Sequence, residues 1–162
     1  MDILDEDLIY FWKTLNKYDI KYIMVGGFAV NLYGYARTTS DIDVLIKDDM
    51  ANRKNLAKAF LELGYGDISF EHLQFVPGWA NFHIGSGVQL DIMTSLKGVD
   101  KSFNEMLQLA PVAEIEGVPV PFLHINHLIA NKKSVDRSKD QIDVIELEKI
   151  KKLLEEKNPS SL

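Results

Sequence analysis

A chain of 162 residues, 46% hydrophobic and 26% charged, has enough apolar mass to bury a core of its own and the balance of an ordinary globular protein. It contains no cysteine, which excludes disulfides, thiolate metal sites and cysteine nucleophiles. A formal net charge of -6 argues against a dedicated nucleic-acid binder with a basic face, while leaving room for RNA contact through a local basic patch.

The N-terminus, Met1 to Asp7, is acidic, the opposite of a signal peptide. No apolar run approaches the ~20 residues of a membrane helix, so no membrane association and a cytoplasmic location are expected. Leu8, Phe11, Trp12, Leu15 and Tyr18 recur at helical spacing and predict a helix over residues 5–18. Asp5, Glu6 and Asp7 fall in its first turn, where the helix dipole favours anions. Residues 21–25 read as a strand, 27–34 as a short helix closed by Gly34, and 42–47 as a second strand. Asp48 or Asp49 caps a helix running to Leu63, with Leu56, Phe60 and Leu63 on its buried side and Gly64 past its end.

Residues 69–76 and 79–84 read as strands separated by Pro77-Gly78. Gly85-Ser86-Gly87 is then a turn, and residues 88–93 form another strand. The short connections predict that these strands extend one sheet as a meander. Ser102-Phe103-Asn104-Glu105 is a capping-box pattern and opens a short helix. Residues 112–115 and 118–123 fit a hairpin around Glu116-Gly117, followed by a helix from His124 to Val135. Ser138-Lys139-Asp140-Gln141 is a second capping box and starts the last long helix. With no repeat or linker, the expectation is one α/β domain over residues 1–157 and a frayed tail at 158–162.

The chemistry concentrates in residues 25–46. Gly26-Gly27 lies between a strand and a helix, where glycines let backbone N–H groups approach a phosphate, or serve a tight turn for steric reasons alone. Asp41 and Asp43 flank Ile42, so on a strand they share a face while Ile42 and Val44 point into a core. Side-by-side carboxylates repel unless a cation lies between them, and hard divalent cations favour oxygen ligands. Asp91 interrupts an otherwise apolar strand, a costly place for an acid unless it is paired, metal-bound or at an open face. No Walker A pattern and no Gly-x-Gly-x-x-Gly occurs, so a P-loop or a Rossmann site is not supported.

Gly26-Gly27 followed by Arg37-Thr38-Thr39-Ser40-Asp41-Ile42-Asp43 resembles the nucleotidyltransferase superfamily related to DNA polymerase beta. It is most similar to the small bacterial branch holding the AbiEii-type toxin nucleotidyltransferases and minimal nucleotidyltransferase domains. The resemblance implies a mixed β-sheet flanked by helices, with C-terminal helices behind it. It also implies that Asp41 and Asp43 hold two Mg²⁺ (or Mn²⁺) ions on an NTP, with Asp91 as the third carboxylate on the acceptor side. Arg37 would contact the triphosphate, to which a guanidinium presents a planar fork of donors. Gly26, Gly27, Thr39 and Ser40 would surround the phosphates, although the hydroxyls of residues 38–40 serve equally well to cap the turn.

Leu128 to Lys132, then Arg137-Ser138-Lys139-Asp140, resembles the family's later lysine helix and Arg-x-Lys-Asp turn, making Lys132 a triphosphate candidate. Lys132, Lys133, Arg137 and Lys139 are also the densest basic cluster. Asp140 and Asp143 fall near the start of the last helix, where dipole and capping effects explain them, and they stay outside the expected site. The four histidines suggest no zinc pattern. Tyr33, Tyr35, Trp79 and Phe82 fit core packing better than a base-stacking pocket. The acceptor hydroxyl stays open between an RNA or tRNA end, a small molecule such as a cationic aminoglycoside, and a partner protein. The toxin branch implies an antitoxin partner. The alternative class is a nucleotide-binding or partner-binding module without catalysis.

Overall fold

The structure, a computed structural model, describes residues 5–76, 82–85 and 87–158. The first helix, α1 (Glu6–Lys17), starts where the Asp5 carboxylate accepts from the Asp7 and Leu8 backbone N–H groups at 2.9 and 3.3 Å. Its apolar stripe of Leu8, Phe11, Trp12 and Leu15 is fully buried. Strand β1 (Tyr22–Val25) leads into the short helix α2 (Gly26–Leu32) and then strand β2 (Asp41–Ile46). Helix α3 (Met50–Glu62), strands β3 (Phe82–Ile84) and β4 (Val88–Met93), and helix α4 (Phe103–Leu109) follow. Strands β5 (Val112–Ile115) and β6 (Val118–Pro121) form a separate hairpin, and helices α5 (Ile125–Val135) and α6 (Ser138–Lys157) end the chain. Among the described residues no helix is long and apolar enough to cross a membrane.

The main sheet has the order β1-β2-β4-β3. β1 and β2 pair antiparallel, as do β3 and β4, but β2 and β4 pair parallel. This mixed sheet with flanking and C-terminal helices is the expected α/β class; of the expected meander only the antiparallel β3–β4 pair forms, and its β4 pairs parallel with β2. A parallel pair needs a crossover, and α3 with its following loop supplies it. The β5–β6 hairpin joins the edge of β1 through a bridge between Met24 and Phe122 and the Leu123 N–H to Met24 carbonyl bond at 3.0 Å.

Residues 69–76 are not a strand. Phe70 and Phe75 both turn inward, which a regular strand would not allow for residues five apart, and the backbone is satisfied differently. Arg53 on α3 donates to the Phe70 and Leu73 carbonyls at 2.6 and 2.7 Å and lies over the Phe75 ring. Of the expected strand at 79–84, residues 82–84 form β3; residues 79–81 and the Pro77-Gly78 turn lie outside the described residues. The last helix is capped one residue earlier than its sequence suggests. Asp140, not Gln141, reaches back, accepting from the Arg137 N–H at 3.1 Å. Lys157 still belongs to that helix, and the tail beyond residue 158 lies outside the described residues.

One buried polar side chain holds the helical crossover to the sheet. Asn52 accepts from the Lys21 N–H at 2.8 Å and donates to the Lys21 and Lys47 carbonyls at 3.0 and 2.8 Å. Substitution leaves the Lys21 N–H without a partner and strips one bond each from the Lys21 and Lys47 carbonyls, which keep the Lys47 and Asp49 N–H groups, so Asn52→Ala is expected to lower folding stability by about 2 kcal/mol. A shift of the urea midpoint with an unchanged slope would record it.

Candidate active site

Three neighbouring strands bring the expected residues into one row. In register, Val25 of β1 lies opposite Asp43 of β2, and Asp43 lies opposite Asp91 of β4. Alternation along β2 buries Ile42 and Val44 and turns Asp41 and Asp43 to the other face. Asp91 is 6% exposed. Gly26, at φ +72°, stands where a Cβ would fall 2.0 Å from the Asp43 Oδ2. A Cβ on Gly27 would meet Thr39 Oγ1 at 2.8 Å and Arg37 Nη2 at 3.0 Å. The glycine pair therefore makes room for Asp43 on one side and for Arg37 and Thr39 on the other. Sequence reasoning did not foresee this, since the contact spans two elements.

The three carboxylates crowd one another. Burial, then the charges of Asp91 and Asp41, push Asp43 up to about 7, against the partial relief from Lys132 and Lys139. Among the described residues no three His, Cys, Asp or Glu side chains are arranged to hold an ion by themselves. Magnesium rarely asks for that: it is held by one or two carboxylates together with substrate phosphates. An all-oxygen set with excess negative charge fits such an ion. A consequence follows for stability. The folded-state pKa of Asp43 lies above its unfolded value, so its ionisation opposes folding increasingly as pH rises from about 4 through about 7. Asp43→Asn is thus expected to melt above the wild type at pH 8, with the gap closing towards pH 4. Equal melting temperatures at pH 8 would contradict this.

Cations face the trio from α5, α6 and the loop before β2, and two acids that sequence reasoning left aside organise them. Asp140 and Asp143 are both fully buried. Asp143 faces Arg37 with both oxygens, at 2.8 Å to Nε and 3.0 Å to Nη2, and lies 3.1 Å from Lys132 Nζ. Asp140 lies 3.2 Å from Lys132 Nζ and receives Arg137 Nε at 2.6 Å and Nη2 at 3.2 Å. Burial works against the Asp140 anion, but the Arg137 hydrogen bonds and the Lys132 charge outweigh it and lower its pKa. These acids are more than first-turn dipole partners: with Leu147 they form the buried side of α6. Positions 140, 143 and 147 fall on one helical face, and that spacing was the available signal.

Two cavities meet at Asp41 and Asp43. The larger, about 410 Å³, also reaches Gly26, Asp91, Met93, Lys97, Asn131 and Asp140. The smaller, about 220 Å³, is lined by Gly27, Arg37, Thr38, Thr39 and Ser40. Lys132, Arg137 and Lys139 border both. All the expected site residues thus gather around this double cavity. Lys133 does not: it pairs with Glu148 on the outer side of α5. Tyr33 bonds the Leu123 carbonyl and Phe82 packs on Phe60, and neither these nor Tyr35 line the cavities. Trp79 lies outside the described residues.

A family model described as "Nucleotidyl transferase of unknown function (DUF2204)" matches residues 4–160. The chain belongs to that family. Solved structures similar to this nucleotidyl transferase share its fold. The lincosamide antibiotic adenylyltransferase LnuA, lincomycin-bound, is 16% identical, with 90% of this chain and 97% of that one covered at a TM-score of 0.57. ANT(2")-Ia in complex with adenylyl-2"-tobramycin is 19% identical, covering 90% and 91%, at 0.54. An antigenic nucleotidyltransferase-like protein from Paracoccidioides brasiliensis is 19% identical, covering 94% and 88%, at 0.51. No curated protein matches the chain.

Proposed function

We propose that this nucleotidyl transferase moves a nucleoside monophosphate from an NTP to a hydroxyl acceptor, within one domain spanning residues 1–157. The observation that carries the reading is the row Asp43–Asp91 beside Asp41, at the junction of two cavities of unequal character. Arg37, Thr39, Ser40 and the Gly27 backbone surround the smaller cavity, which suits the β and γ phosphates, and Lys132 reaches them from α5. Mg²⁺ or Mn²⁺ held by Asp41, Asp43 and Asp91 would supply charge stabilisation to the attacking and leaving oxygens. The acceptor oxygen bonds to the α-phosphorus, the bond from that phosphorus to the bridging oxygen breaks, and pyrophosphate leaves. In this reading Asp91, which borders the larger cavity and not the phosphate cavity, takes the acceptor's proton.

The acceptors named for LnuA and ANT(2")-Ia are small antibiotics, which supports a small hydroxylated acceptor. An RNA end or a protein hydroxyl would undergo the same chemistry. A toxin role with an antitoxin partner rests on the motif resemblance to the AbiEii-type branch alone. Supply of NTP makes the cytoplasm the place for this reaction. The test is pyrophosphate release from NTP and Mg²⁺ in the presence of a cell extract, with Asp43→Ala alongside. Release that vanishes in Asp43→Ala is expected; equal release from a folded Asp43→Ala protein would sink the reading.

A further inference from the structure

The double cavity separates what grips the nucleotide's phosphates from what is left for the acceptor. Met93, Ser95, Leu96, Lys97, Asn131 and Val135 line only the larger cavity. Four acids border that cavity: Asp41, Asp43, Asp91 and Asp140. Three of them form the trio. The fourth is already held by Lys132 and Arg137. Among the described residues no further carboxylate borders that cavity to receive an ammonium group. The formal charge of -6 on the whole chain therefore does not extend to the acceptor's wall.

That wall instead carries a cation. Lys97 is exposed and makes no ion pair among the described residues. Its backbone is fixed in place: Asn131 Nδ2 donates to the Lys97 carbonyl at 3.0 Å. The next residue, Gly98 at φ +82°, presses so closely on α5 that a Cβ would fall 2.0 Å from Ser134 Oγ and 2.8 Å from the Ala130 carbonyl. The loop after β4 is thus a built wall with a lysine at its rim.

Resting on the nucleotidyl-transfer reading, we propose that the acceptor bears an anionic group of its own, a phosphate or carboxylate, received by Lys97, and that polycationic acceptors are rejected. Wild type, Asp43→Ala and Lys97→Glu would be incubated with Mg²⁺ and a mixture of α-labelled NTPs in three arms. These hold a mixture of sugar phosphates and hydroxy acids, a short RNA with a free 3′ hydroxyl, and tobramycin. Asp43-dependent label is expected in one of the first two arms, which also tells a small molecule from an RNA end. Lys97→Glu should cut that transfer at least tenfold while NTP affinity stays within twofold. As a readout apart from turnover, the labelled arm's compound should slow acylation of Lys97, followed by mass spectrometry, and tobramycin should not. Label in the tobramycin arm, unchanged transfer by Lys97→Glu, or Asp43-dependent NTP binding with no label in either anionic arm would overturn the inference. Absence of Asp43-dependent NTP binding would overturn the nucleotidyl-transfer reading, and this inference with it.

Discussion

Asp91→Asn is expected to slow nucleotidyl transfer by about 10³-fold, the range typical of losing a positioned proton acceptor, while Mg²⁺-dependent NTP binding stays within a few fold. Asp43→Asn should lose both. The contrast follows from geometry: Asp43 stands at the junction of the two cavities, whereas Asp91 borders only the larger one. Calorimetric titration of NTP in Mg²⁺ beside a transfer assay separates the two effects. If Asp91→Asn weakened NTP binding as severely as Asp43→Asn, the assignment of Asp91 to the acceptor side would be wrong.

The second large effect concerns Asp143, which touches neither cavity yet holds two of the cations that do. It is a positioning residue in this reading, joining the loop before β2 to α5 and α6. Asp143→Asn removes half of a buried ion pair and leaves Arg37 and Lys132 less restrained, which is expected to lower stability by about 3 kcal/mol. It should also weaken NTP binding tenfold or more. Because Asp143 acts on the nucleotide through Arg37, the loss in affinity from Arg37→Met plus Asp143→Asn should fall well short of the sum of the single losses. Additive losses, measured at a temperature where every variant is folded, would show that Asp143 matters for stability alone.

The sequence made the active face of the sheet legible because strand alternation is local. Asp41 and Asp43 around Ile42, and Asp91 within an apolar run, could be placed on faces without knowing the strand order. What it did not reveal depends on contacts between distant segments. The parallel pairing of β2 with β4 sets Asp43 opposite Asp91, and the short connections among the later apolar runs pointed only to the neighbouring β3–β4 pair. The closeness of Gly26 to Asp43 is invisible until β1 and β2 are laid side by side. Leu73 and Phe75 alternate like a strand, yet Arg53 takes up the Phe70 and Leu73 carbonyls that a neighbouring strand would have bonded. Asp140 and Asp143 were misjudged for a different reason. Acids near a helix start have a sufficient local explanation in the dipole, and it masked their periodicity with Leu147.

The most direct measurement follows the two ends of the triphosphate separately. The protein would be incubated with Mg²⁺ and cell extract in parallel reactions, one with α-labelled and one with γ-labelled NTP. Nucleotidyl transfer requires the α label to enter an acceptor and the γ label to leave as pyrophosphate, both lost in Asp43→Ala. A γ label entering the acceptor, or leaving as inorganic phosphate while the α label stays on a nucleoside diphosphate, would contradict it.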